Sequence, residues 1–129
     1  MANSKLDITD FYRPFNNGNT DMYRQLLTSG WVNHPNDPGR TADLLGFSDG
    51  VLDFRNSFEG FKLSIIKVIE NDRDIAVHIA MTGIQVKNFA EIVPKHEPIT
   101  FYGFDRHLLT EDLSQIQETW HFEDFSNLY

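Results

Sequence analysis

At Gly60 the hydrophobic period of this chain changes from helical to extended, and that change restricts the folds open to it. Upstream, apolar residues recur every three to four positions. Downstream, they alternate. Helices first and strands afterwards describe an α+β domain, with helices segregated to one face of an antiparallel meander.

The helical half starts with Ile8, Phe11, Tyr12 and Phe15, which fall at i, i+3, i+4 and i+7 and form one apolar stripe. Pro14 interrupts it, removing a backbone donor, and is expected to bend or end the helix nearby. Residues 16–19, NNGN, have turn chemistry. A second helix is expected after Asn19 or Thr20, with Met22, Tyr23, Leu26 and Leu27 on its buried face and Gly30 as its stop. Trp31–His34 reads as a short extended piece, ended by the loop PNDPGR. Thr41 then reads as the N-cap of a longer helix. Leu44, Leu45, Phe47, Val51, Leu52, Phe54 and Phe58 form its inner side.

In the second half, Phe61, Leu63 and Ile65 alternate with polar residues along a strand that reaches about Glu70. A turn at NDRD leads into Ile75, Val77, Ile79 and Met81, the inner face of the next strand. A poorly patterned stretch bridges to a strand over Ile99–Leu109, and a turn around TEDLS leads to a last strand, Gln115–Phe122. The 129 residues contain no repeat and no linker, so one domain, 1–129, is expected.

Charge and cysteine content narrow the partners. Lys plus Arg is 11 against 19 for Asp plus Glu, a net charge of −8, which disfavours nucleic acid and anionic membranes. The N-terminal segment MANSKLDITD lacks an apolar signal-peptide core, and no apolar run is long enough to span a bilayer. With no cysteine there is no disulfide framework and no thiolate nucleophile; a cytoplasmic location is expected. Eleven phenylalanines suggest a core or cavity wall built from flat rings.

Several strings in this order resemble the SnoaL-like polyketide cyclases, a branch of the nuclear transport factor 2-like superfamily. FYRPFNNGNTDMYRQLL is similar to the family's opening helices, and WVNHP to its short strand with a functional asparagine. NSFEGFKLSI is similar to the entry into the first long strand, and GFDRHLLTEDLSQIQETWHFEDF to the closing hairpin. The likeness runs from Asp10 to Phe125. It implies a cone-shaped fold, with three N-terminal helices on a curved, mostly antiparallel sheet around a central apolar pocket. It also implies chemistry without cofactor or metal. Carried over by position, the family's asparagine is Asn33 and its histidine is His107. Asp105 stands where the family has glutamine, and His121 where it has the acid/base aspartate.

An intramolecular aldol cyclisation needs a base, donors for the enolate oxygen and a closed apolar wall. His121, with an ordinary pKa of about 6.5, suits proton transfer near neutrality. The reading is therefore His121 as acid/base, Asp105 as its orienter, and His107 and Asn33 as donors. Trp31 and Phe101 are the expected substrate contacts, although Trp31, Trp120 and Phe122 are most simply core or interface packing. His34, His78 and His96 read as surface or structural residues. An odd-numbered connection before the last strand puts His121 near Gly103 and diagonal to Asp105; a two-residue turn puts it on the other face.

The implied substrate is a small apolar or aromatic, polyketide-like or polycyclic molecule, undergoing cyclisation, isomerisation or dehydration. A non-catalytic binding protein of the same fold is the alternative. Asp105, His107 and His121 also form a formal two-histidine, one-carboxylate metal set. Ile116, Trp120 and Phe122 are expected to share an outer sheet face through which two copies pair.

Overall fold

The computed structural model describes residues 5–34, 44–89 and 91–128. Three helices, α1 (Thr9–Asn17), α2 (Tyr23–Leu26) and α3 (Leu44–Asn56), accompany five strands. These are β1 (Leu27–His34), β2 (Phe58–Asn71), β3 (Asp74–Gln85), β4 (Pro98–Leu109) and β5 (Ile116–Asp124). The strands form one open sheet in the order β1-β5-β4-β3-β2. β1 runs parallel to β5, and every other neighbour is antiparallel. This is the α+β arrangement expected from the change of period.

α1 forms because its stripe buries Phe11 and Tyr12 against the sheet. It continues beyond Pro14 to Asn17 and stops at Gly18, whose φ of 74° few other residues tolerate. A Cβ on Gly18 would also lie 3.0 Å from the Arg55 guanidinium. That guanidinium is needed where it is, since Arg55 Nε and Nη2 donate to the last carbonyls of α1, Phe15 O and Asn16 O, at 3.1 and 2.9 Å. Asn16 fixes the helix to β2 through both ends of its amide. Its Nδ2 donates to Leu63 O at 2.9 Å, and its Oδ1 accepts from Leu63 N at 2.8 Å.

The structure corrects several local expectations. The second helix is only Tyr23–Leu26; Leu27 already opens β1, so Gly30 is a strand residue and not a helix stop. Pairing with β5 wins over the weak propensity of so short a helix. On α3, Val51 is buried but Leu45 faces out at 69% exposure. Phe58 belongs to β2, which starts before Gly60. The expected PNDPGR loop and the Thr41 cap lie outside the described residues.

The β4–β5 register matters most for function. Leu109 pairs with Ile116, yet Leu108 pairs with Glu118, so a bulge inserts Gln117 into β5. Before the bulge, Ile116 faces the core and is fully buried, so it is no part of an outer face. Beyond it, the odd residues of β5 turn inward. His107 pairs with Thr119, Asp105 with His121, and Gly103 with Glu123. His121 is thus directly opposite Asp105, one rung from the diagonal placement expected.

The outward face of the same hairpin carries exposed Tyr102, Phe104 and Phe122. Trp120 is flanked there by the Arg106 guanidinium, 4.5 Å from its ring, and by His34, stacked at 5.3 Å. His78 stacks on Phe104.

Candidate active site

The inner face of β4 presents Phe101, Gly103, Asp105, His107 and Leu109, all buried. Two polar residues in that row require partners, because a buried polar group without a hydrogen bond is costly. α1 lays Tyr12 across them. The Tyr12 hydroxyl donates to Asp105 Oδ2 at 2.7 Å and lies 2.9 Å from His107 Nε2. The other ring nitrogen, His107 Nδ1, is 2.9 Å from Thr119 Oγ1. Thr119 Oγ1 also accepts from the Trp31 indole N–H of β1 at 3.1 Å. Five side chains from α1, β1, β4 and β5 form one connected chain.

Burial sets the acidities along it. His107 has no exposed surface, and desolvation of its cation lowers its pKa to about 3, so the ring is neutral. The Tyr12 hydroxyl is pushed well above its ordinary value, by burial first and then by the charge of Asp105. Asp105 rises to about 7, again through burial; the Tyr12 hydrogen bond and the charge of His121 pull it down, and the charge of Glu123 pushes it up. Asp105 Oδ1 is buried, and no donor among the described residues reaches it.

His121 lies across from Asp105, its side chain 19% exposed. Its Nδ1 is 2.8 and 3.0 Å from the two carboxylate oxygens of Glu123. A proton on Nδ1 suits this contact. The orienting carboxylate of His121 is therefore Glu123, two residues along its own strand, while Asp105 is held by Tyr12.

Asn33 is buried on β1 opposite Thr119, on the same inner face. Trp31 is buried and committed to Thr119 through its N–H. Phe101 is fully buried among Phe54, Phe58 and Phe125. Above His107 the interior is filled by rings. Phe11 is 4.6 Å from the imidazole and stacks on Phe47 at 5.3 Å, and Phe47 meets Trp31 at 5.0 Å. A cleft of about 410 Å³ opens elsewhere, between the ends of β2, β3 and β4, lined by Glu59, Gly60, Thr82, Pro98, Ile99 and Thr100 among others. It holds none of the site residues expected from the sequence, which are Trp31, Asn33, Phe101, Asp105, His107 and His121.

Both nitrogens of His107 are engaged, so the metal set loses one ligand. No group of three or more His, Asp or Glu among the described residues is placed to hold a metal ion. None of the described helices is long and apolar enough to cross a membrane.

Three helices on an open, mixed five-stranded sheet, with polar groups gathered on the covered face, define a domain of the nuclear transport factor 2-like fold. The chain belongs to the SnoaL-like polyketide cyclase family, whose model matches residues 6–129. Solved structures agree on the fold. TsrD from Streptomyces laurentii superposes with a TM-score of 0.78 at 14% identity, covering 96% of this chain and 95% of its own. IdmH from Streptomyces antibioticus, assigned as a polyketide cyclase, gives 0.76 at 20% identity, covering 94% and 91%. A protein from Bacillus cereus with the same assignment gives 0.74 at 20% identity, covering 92% and 74%. Such low identities speak for the fold alone. No curated protein matches the chain by sequence.

Two features escaped the sequence reading. Tyr12 read as one more ring in an apolar stripe, although a tyrosine between Phe11 and Phe15 was the available signal for a buried hydroxyl with a task. Glu123 was out of view because the last strand was expected to end at Phe122.

Proposed function

We propose that this protein is an acid/base enzyme of the aldol cyclase, isomerase or dehydratase type, acting without a cofactor on a small polyketide-like or polycyclic molecule. Asp105 and His121 share the proton transfers. The observation that carries this reading is the Asp105 carboxyl, raised to about 7 and facing His121 across one rung, with Oδ1 still unpartnered. A group half-ionised near neutrality is both an effective base and an effective acid.

In a cyclisation, the base takes a proton from a carbon beside a carbonyl. The enolate carbon then bonds to a second carbonyl carbon of the same molecule, and the proton is returned to the resulting alkoxide. Nothing is oxidised or consumed. Substrate approaches from the partly exposed side of His121 and Glu123, with Asn33 as a donor to the enolate oxygen. Trp31 and Phe101 hold the wall. His107 acts through Tyr12, because both of its nitrogens are already engaged.

Deuterium exchange at C2 of an aromatic β-keto ester such as ethyl benzoylacetate, followed by NMR, tests the proton transfer. The protein should accelerate exchange over buffer, and Asp105→Asn and His121→Ala should each reduce that acceleration by about 100-fold or more. No acceleration by the unmodified protein, or none lost in either variant, sinks the catalytic reading and leaves the non-catalytic binding protein.

A further inference from the structure

We propose that Tyr12 is a positioning residue whose direction of donation is fixed from the far end of the chain Trp31–Thr119–His107–Tyr12, so that Asp105 exchanges its proton only on Oδ1. The inference deepens the acid/base reading and rests on it for its chemical meaning, but the hydrogen-bond accounting stands on its own.

The direction of the chain is set at Trp31. An indole N–H can only donate, and here it donates to Thr119 Oγ1 at 3.1 Å. Thr119 is 1% exposed, so its own hydroxyl proton needs a protein acceptor, and the group within reach is His107 Nδ1 at 2.9 Å. A neutral imidazole that accepts at Nδ1 carries its proton on Nε2. Nε2–H therefore donates to the Tyr12 oxygen at 2.9 Å, and the one hydroxyl proton of Tyr12 goes to Asp105 Oδ2 at 2.7 Å. Each donor is used once.

The reversed chain fails at its far end. With a proton on Oδ2, Asp105 would donate to Tyr12, Tyr12 to Nε2, and Nδ1–H to Thr119. The threonine oxygen would then receive two donors, and its own proton would be left without an acceptor on a side chain that is 1% exposed. Protonation at Oδ1 leaves one buried proton without a partner among the described residues, whereas the reversed chain leaves two groups so, the Thr119 proton and Oδ1 itself. Oδ2 thus remains an acceptor in both protonation states, and Oδ1 takes the proton. The groups facing this carboxyl are Tyr12 from α1, His107 from β4 itself, and His121 and Glu123 from β5; β3 places Val77 opposite.

The test is NMR on the isotopically labelled full chain, reading the ring nitrogens of His107 and the carboxyl carbon of Asp105 from about pH 5 to 9. His107 should stay in the neutral form protonated at Nε2 while Asp105 titrates. Tyr12→Phe should raise the Asp105 midpoint by about one pH unit or more, since a bond to the charged form is lost. Thr119→Val should release the tautomer, and Thr119→Ser should restore it. A switch of His107 to the Nδ1–H form as Asp105 is protonated would overturn the proposal, as would an unchanged midpoint in folded Tyr12→Phe. If Tyr12→Phe does not fold, the tautomer of the unmodified protein decides alone. Failure of the deuterium exchange assay would leave all of these readings intact, so the two claims fail separately.

Discussion

His107 and His121 occupy adjacent rungs of one hairpin, on the same face, yet they live in different chemistry. At the closed rung, His107 has no exposed surface, and both nitrogens are bonded within the Trp31–Thr119–Tyr12 chain. Burial lowers its pKa to about 3, which removes it from acid/base work at any ordinary pH. At the open rung, His121 keeps partial contact with solvent, is oriented by Glu123, and faces a carboxyl poised near neutrality. Residue type on the inner face of the hairpin does not by itself assign a role. What assigns it is how deeply the fold buries each ring and which partners it supplies.

The largest effect that could break this comparison is on stability. His107→Ala should cost about 5 kcal/mol, from a buried cavity plus stranded partners at Tyr12 and Thr119. His121→Ala should cost less, about 1–2 kcal/mol, because its side chain, 19% exposed, keeps some contact with solvent. Urea denaturation of the two variants measures both. Similar losses would mean that both histidines serve structure, and the division between the rungs would be lost.

Much of this was legible from residue pattern. That the odd positions of β4 share one face follows from strand geometry, and the stripe from Ile8 to Phe15 predicted the face that α1 buries. Hydrophobicity did not say which face of β4 is inner, since Tyr102, Phe104 and Leu108 point outward and Gly103, Asp105 and His107 inward. The register was not legible. A bulge at Gln117 depends on which residue count lets Ile116 and Thr119 both reach the core, a tertiary matter that no local pattern shows. Tyr12 was missed for a related reason: a stripe reports burial and says nothing of a hydroxyl at its tip. Gly30 misled because glycine after a helical pattern reads as a stop, whereas here the parallel pairing of β1 with β5 extends the chain through it.

A smaller effect, of opposite sign at the two rungs, appears in the pH dependence of stability. His107 falls from an unfolded value of about 6.5 to about 3, so its contribution is full above pH 6.5 and is lost as pH drops. Asp105 rises from an unfolded value of about 3.9 to about 7. The folded state therefore favours its protonated form, and that contribution is full below pH 4 and is lost as pH rises. Between about pH 4 and 6.5 the two slopes cancel. Asp105→Asn removes one of them, so the variant should gain roughly 3 kcal/mol relative to the unmodified protein across that window. Parallel stability curves from urea melts at several pH values would refute the cancellation.

The smallest effect comes from extending the comparison through the sheet to its outward face. Arg106 and Trp120 sit between the same rungs as Asp105, His107, Thr119 and His121, but point the other way. Their contact is also specific, with the guanidinium 4.5 Å from the indole ring and Arg106 Nε donating to Asp74 Oδ1 at 2.9 Å. Water solvates both arginine and aspartate there, so the contact replaces hydration that is still available instead of filling a need created by burial. Arg106→Ala should accordingly cost about 0.5 kcal/mol, and less in high salt. It should leave the Asp105 titration midpoint where it is. A loss of several kcal/mol, or a shifted midpoint, would show that the outer row helps to hold the inner one, and the two faces of the hairpin could no longer be treated as independent.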